Sequence, residues 1–196
     1  MLKQHKEILT TVIRDLRHDL LGMPSKDGNP IVRGDLDREL ERLGVLPDGR
    51  VQPIDTLPNA TPAEVHAYDA AGRFIAQARR QGRSADDARK DYIEQAAYSW
   101  MNRLVALRAL ESRGLIDGTL HPAEEYGGLS EALYLLSQTD PARVAAPDSG
   151  WWAVIEQACA AQSSALPGLF GADDPVLALR PSIPALRRCV ERIQRT

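Results

Sequence analysis

Apolar residues recur along this chain at helical spacing, broken wherever glycine and proline cluster. Leu2, Leu9, Val12, Ile13, Leu16 and Leu20 mark a first helix, with Lys3, Lys6, Glu7, Arg14 and Arg17 between them, and Gly22 and Pro24 end it. Ser25 to Arg33 is rich in turn formers, most strongly at Asp27-Gly28-Asn29-Pro30. A short helix fits Asp35 to Leu43, with Leu36, Leu40 and Leu43 inward and Gly44 just past its end. Leu46 to Asn59 carries Pro47, Pro53, Pro58 and an Asp48-Gly49 turn, so it reads as an extended connector; 45–60 is the one internal boundary the pattern offers. Thr61, Pro62 and Glu64 place the next helix start. A threonine hydroxyl can accept an orphan N–H, a glutamate three residues on can return to the cap amide, and proline suits the first turn. Val65, Tyr68, Ala71, Ile75 and Ala78 form its inner stripe, and Gly82 ends it.

Ser84 with Asp87 signals another start, and Gly114 the matching stop, with Leu115 and Ile116 folding back onto the last turn. Between them Ile93, Ala96, Ala97, Trp100, Leu104, Leu107 and Glu111 share one broad arc, which Met101 and Val105 widen. A helix that apolar is covered on more than one side, so it is predicted to be the central element. Arg108 and Glu111 stand three apart on this surface and are expected to pair, because an unpartnered buried charge is costly. A turn follows at Pro122 and Gly127-Gly128, then a helix over Ser130 to Gln138 with Ala132, Leu133 and Leu136 inward. Gly150-Trp151-Trp152 opens a helix to about Gln162, with Trp151, Ile155 and Ala158 inward; Pro167 to Pro181 reads as irregular. The last helix turns Ile183, Leu186, Val190 and Ile193 inward and Arg188, Arg192 and Arg195 outward. No strand, repeat or low-complexity tract stands out. The expectation is an all-α fold, an irregular multi-helix bundle around a long central helix, forming a single domain over 1–196.

Composition sharpens that picture. Aromatic residues are only 5% of a chain that is 43% hydrophobic, so leucine and alanine must fill the interior, which suits helices. A formal charge of −3 supplies no global field for nucleic acid, so any such contact must be local. Cys159 and Cys189 stand far apart without a CxxC or Cys/His cluster, and read as reduced core residues rather than metal ligands. No apolar run reaches the roughly 20 residues needed to span a bilayer, and the charged opening Met1-Leu2-Lys3-Gln4-His5 is unlike a signal peptide. The expected location is the cytoplasm, with no membrane partner.

The run Tyr98-Ser99-Trp100-Met101-Asn102-Arg103-Leu104-Val105-Ala106-Leu107-Arg108-Ala109-Leu110-Glu111, continuing to Gly114-Leu115-Ile116, resembles the signature helix in the N-terminal region of PglX-like adenine-specific DNA methyltransferases. These include methyltransferases of the BREX and DISARM phage-defence systems and are similar to fused type II restriction and modification enzymes. Leu166-Pro167-Gly168-Leu169-Phe170-Gly171, Asp173-Asp174-Pro175, Leu177-Ala178-Leu179 and Pro181 resemble the loop and leucine-rich segment that precede the family's methyltransferase domain. The resemblance covers 92–193 and is strongest over the central helix. It implies that Trp100, Asn102, Arg103, Arg108 and Glu111 are a structural signature. It also implies that this chain is the N-terminal helical part, a fragment or separately encoded, of an enzyme whose catalytic domain lies elsewhere. The implied partners are DNA, that following methyltransferase domain and other defence-system proteins.

The chemistry of methyl transfer is not legible in these residues. An S-adenosylmethionine site needs a glycine-rich loop after a strand, and base capture needs an Asn/Asp-Pro-Pro-aromatic motif. Asp173-Asp174-Pro175-Val176 lacks the second proline and the aromatic, and no strand precedes Gly168-Leu169-Phe170-Gly171. S-adenosylmethionine is therefore expected in the parent enzyme, with no cofactor, metal or catalytic residue in this chain. His5, His18, His66 and His121 are scattered, His18 beside Asp15 and Asp19 has no nucleophile partner, and Glu124-Glu125 point different ways. Two basic clusters remain. Arg73, Arg79, Arg80 and Arg83 crowd one helix end, followed by Arg89 and Lys90, while Arg187, Arg188, Arg192 and Arg195 line the last helix. Arginine forks suit phosphate, so Arg79, Arg80, Arg83, Arg188, Arg192 and Arg195 are the candidate DNA contacts. Asp86, Asp87, Asp91 and Glu191 interleave with them, which keeps a plain solvated face open as the other reading. Two function classes follow: a DNA-contacting accessory domain of the methyltransferase, or a helical protein–protein interaction module of a defence complex with no DNA contact.

Overall fold

A computed structural model describes residues 2–24, 30–57 and 59–196. It is 66% helix and 3% strand, which makes the fold all-α. The helices are α1 (Leu2–Leu21), α2 (Asp35–Arg42), α3 (Pro62–Arg80), α4 (Ala85–Glu111), α5 (Glu131–Thr139), α6 (Pro141–Val144), α7 (Trp151–Gln162), α8 (Pro167–Phe170) and α9 (Ile183–Ile193). Short 3-10 turns lie at Ile54–Thr56, Glu124–Tyr126 and Pro175–Ala178. The expected turn at Asp27-Gly28-Asn29 and the proline at Pro58 fall outside the described residues.

The expectation of no strand needs correction. Strands β1 (Gly22–Pro24) and β2 (Pro30–Arg33) pair antiparallel, Gly22 opposite Arg33 and Met23 opposite Val32. Each is too short to show the two-residue alternation by which strands are read, and each contains a proline. Gly22 has φ +87°, and a Cβ there would collide with the Val32 carbonyl oxygen, so the turn out of α1 depends on glycine. The expected irregular stretch 167–181 likewise holds α8 and a 3-10 turn, and α6 is a single turn that no periodicity could reveal.

The chain forms two compact units. One comprises Arg17–Trp100 and Asp173–Ala185, the other Met1–Leu16, Met101–Ala172 and Leu186–Thr196. The connector over 45–60 lies wholly within the first unit, and the divisions fall inside α1 and α4.

In the first unit Leu20, Leu36, Leu40, Ala71, Ile75, Tyr92 and Ala96 are buried, and the 3-10 turn at Pro175–Ala178 packs against α3. Thr61 forms the expected capping box: its hydroxyl accepts from the Glu64 amide at 3.3 Å, and Glu64 accepts from the Thr61 amide at 2.8 Å. Ser84 caps α4 in the same manner, accepting from the Asp87 amide at 3.1 Å. Asp35 is buried, and its carboxylate accepts from the Ser182 amide at 2.8 Å and the Ser182 hydroxyl at 2.6 Å, so a helix start is tied to a residue far along the chain. Tyr68 donates to the Gln52 carbonyl at 2.6 Å and holds the proline-rich connector in place.

In the second unit Val12, Leu16, Met101, Leu104, Leu107, Leu133, Ile155, Phe170 and Val190 are buried. The inner row of α7 is Val154, Ile155 and Cys159, with Trp151 and Ala158 only half-buried, a shift of the expected stripe. Leu9 and Ile13 of the first apolar pattern are exposed, and so is Leu115, at 64%. At the end of α4 the Leu115 amide folds back, donating to the Leu110 carbonyl after the left-handed Gly114, while the Leu115 side chain stays exposed and Ile116 is half-buried. Arg192 pairs with Asp15 at 3.0 Å, and Gln194 donates to the Leu120 carbonyl at 2.8 Å, anchoring α9.

Candidate functional site

Two places collect polar side chains with more than local structure to explain: the middle of α4, and the end of α3 facing the start of α4.

On α4 each signature side chain except one bonds backbone outside the helix. Trp100 is 4% exposed, and its Nε1–H donates to the Leu179 carbonyl at 2.8 Å. Ser99 donates to the Asp174 carboxylate at 3.2 Å, and Tyr92 donates to the Pro175 carbonyl at 3.1 Å. Arg103, also buried, donates to the Gly171 carbonyl. Glu111 accepts from the Leu120 and His121 amides at 3.0 and 2.9 Å through one oxygen and faces Arg108 at 3.4 Å through the other. Arg108 in turn donates to the Thr196 carbonyl at 2.6 Å. Asn102 alone among the signature residues is exposed. A buried arginine or glutamate on an apolar helix is tolerable when such bonds replace water, and here they do so for all but the Arg108 Nε–H, which is buried without an acceptor. Burial, opposed by Arg103, pushes the Cys159 thiol above its ordinary value.

Asp174-Pro175-Val176, the near match to a base-capturing motif, has a local task instead. Asp174 accepts from the Val176 amide at 3.2 Å and caps the 3-10 turn.

The two arginine clusters differ. Arg79 and Arg80 stand exposed in the last turn of α3 and make no ion pair among the described residues, while Arg83 pairs with Asp91. Arg79 and Arg83 line an open cleft of about 720 Å³ together with Gly49, Arg50, Gly72 and Ser84. Every charged residue lining it is an arginine. Arg50 was not singled out in the sequence; the Asp48-Gly49 turn that carries it could have signalled it, since Gly49 packs against Ala85 with no room for a Cβ. The Arg50 amide and then its guanidinium hold the Asp48 carboxyl below its ordinary range. Arg89, expected to extend this cluster, is buried instead: it donates to the Val45 carbonyl at 3.1 Å and to Asp37 at 2.5 Å. Lys90 pairs with Asp86 at 2.8 Å.

On α9 the arginines are mostly engaged within the fold. Arg187 donates to the Pro147 carbonyl at 2.5 Å and the Ser149 hydroxyl at 3.0 Å, Arg192 holds Asp15, Arg188 is half-buried, and Arg195 is exposed. The two clusters belong to different units.

Among the described residues no group of three or more histidine, cysteine, aspartate or glutamate side chains is placed to hold a metal ion. Cys159 and Cys189 are buried and form no disulfide, and His66 and His121 are exposed. No helix among the described residues is long and apolar enough to cross a membrane. Comparison with family models, with curated proteins and with solved structures finds no match for this chain.

Proposed function

We propose that this chain is the N-terminal helical part of a PglX-like adenine-specific DNA methyltransferase of a bacterial phage-defence system, acting in the cytoplasm. In this reading it is an accessory domain that contacts DNA beside a catalytic domain, and that other domain binds S-adenosylmethionine and transfers the methyl group. One observation carries the reading. The two stretches that bear the resemblance, 98–116 and 166–181, are hydrogen-bond partners: Ser99 with Asp174, Trp100 with Leu179 and Arg103 with Gly171. These bonds bring the two stretches of the resemblance together in space, as two parts of one structural signature would be.

The DNA contact falls to Arg79 and Arg80, whose exposed guanidinium forks make no ion pair among the described residues and can meet phosphate oxygens; Arg50 and Arg83, held by Asp48 and Asp91, add positive charge in the cleft that Arg79 lines. The test is fluorescence anisotropy of labelled duplexes of unrelated sequence with the full chain. Expected are sequence-blind binding that weakens steeply with added salt, and about tenfold weaker binding in Arg79→Glu/Arg80→Glu. No binding at micromolar protein and low salt would remove the DNA contact.

The second reading, an interaction module that never touches DNA, draws on the uncovered side chains of Leu115, Leu135 and Leu166. Retention of neighbouring defence proteins by Arg79→Glu/Arg80→Glu, with wild-type chain also failing to hold DNA, would favour it.

A further inference from the structure

The cleft of about 720 Å³ at the end of α3 has a floor as well as a charge. Gly72, Ala76 and Arg79 stand at i, i+4 and i+7 along α3, so they share one face, and all three line the cleft. Val51 of the connector and Ala85 at the start of α4 complete a low apolar wall. No aromatic side chain lines the cleft, so an unstacked base finds no platform there. Arg79, exposed and without an ion pair among the described residues, overlooks the space above Gly72 and Ala76, because helical side chains lean toward the helix N-terminus.

Gly72 is the lining residue that the fold does not require. A glycine inside a helix is less favourable than alanine, since it loses more backbone freedom on folding. Elsewhere in this unit glycines answer a local need: Gly22 takes a left-handed φ, and Gly34 and Gly49 sit where a Cβ would strike backbone. Gly72 does neither. Its φ is not left-handed, and a Cβ there would meet no atom within 4 Å among the described residues. What glycine does provide at such a place is bare backbone against which a bulky group can lie. A deoxyribose flanked by phosphates is such a group. The sugar needs a low apolar seat and each phosphate a donor, and here the seat and the Arg79 fork adjoin.

We propose, resting on the DNA reading above, that Gly72 positions the DNA backbone: a sugar of one strand lies on the Gly72 and Ala76 face of α3, which sets its phosphate on Arg79. The test is anisotropy of a labelled duplex, with urea melts alongside, for the full chain and for Gly72→Ala, Gly72→Leu and Gln77→Leu, the last at an exposed position of α3 outside the cleft. Gly72→Ala should raise the urea midpoint, because alanine favours the helix and its Cβ has room, yet bind about threefold more weakly. Gly72→Leu should bind about tenfold more weakly, with a salt dependence lowered by about one phosphate contact, while Gln77→Leu binds as wild type does. In the Arg79→Glu/Arg80→Glu background Gly72→Leu should cost less than about twofold, since the phosphate contact it disturbs is already gone. A glycine needed only for packing would instead lower the urea midpoint when replaced. Wild-type chain that fails to bind duplex removes the DNA reading and this proposal together. The proposal alone is overturned if wild type binds and Gly72→Leu binds equally, if Gln77→Leu weakens binding as much, or if the Gly72→Leu loss persists in full in the charge-reversed background.

Discussion

Trp100 presents an indole N–H that burial has cut off from water, and the Leu179 carbonyl is its replacement partner. Trp100→Phe keeps most of the apolar surface but strips the donor, leaving that carbonyl unsatisfied beside a small void. The expected cost is about 2–3 kcal/mol, read as a lower urea midpoint with an unchanged slope. A midpoint equal to wild type would mean that the indole bond does not hold the 175–181 segment. Arg103 and Glu111 follow the same logic, since each bonds backbone groups outside its own helix. The signature residues of α4 are in this sense fasteners. Their identity is demanded by hydrogen bonding inside the fold, with Asn102 the exception at the surface.

At the scale of elements, α2 and α4 are joined by charge. Arg89 of α4, with a side chain only 4% exposed, meets Asp37 of α2, which also takes Arg33. Burial pushes the Asp37 carboxyl up, but the bonds from Arg33 and Arg89 outweigh it and leave it below its ordinary value of 3.8. A depressed carboxyl contributes stability that is fully present above that ordinary value and is lost as pH falls through the folded-state value. Asp37→Asn should therefore cost about 3 kcal/mol near neutral pH, because Arg89 stays buried without its counter-charge. The gap between wild type and variant should close as the pH drops below the ordinary value. Urea melts at neutral and acid pH measure it; a gap independent of pH would show that Asp37 does not act as an ion there. The helix α3 is set more locally, by the Thr61 and Glu64 capping box, and this part was readable from four consecutive residues.

For the whole molecule, the burial of both cysteines gives a global probe. Cys189 is fully buried and Cys159 is 4% exposed with its thiol pushed up by burial. Neither should react with a thiol reagent under native conditions, and both should react in denaturant, at a rate set by opening of the unit that contains them. Fast native labelling of either would contradict the packing described for α7 and α9. The two units each hold part of α1 and part of α4, so the long helices are where a reading by consecutive segments and a reading by compactness part company. The 45–60 connector has the prolines of a linker, yet Tyr68 and the Val45–Val51 bridge bind it within one unit.

Helix positions, caps and stops follow from local rules that the residues obey within one or two turns: the spacing of Leu36, Leu40 and Leu43, the Thr61 cap, the Gly114 stop. The sequence alone therefore determined an all-α chain with a long, largely apolar helix at its middle, and it marked out the α4 stretch and the arginine clusters as the residues to watch. Only the tertiary structure decided what those residues do. Arg89 and Arg192 carry the same charge as Arg79, and nothing local distinguishes them; a carboxylate brought near from elsewhere in the chain takes Arg89 into the interior and Arg192 into an ion pair, while Arg79 stays at the surface. The same holds for Leu9 and Ile13, whose spacing is that of a core face but which stay 40% and 38% exposed. Periodicity states which face is apolar, and only packing supplies, or withholds, the surface that covers it.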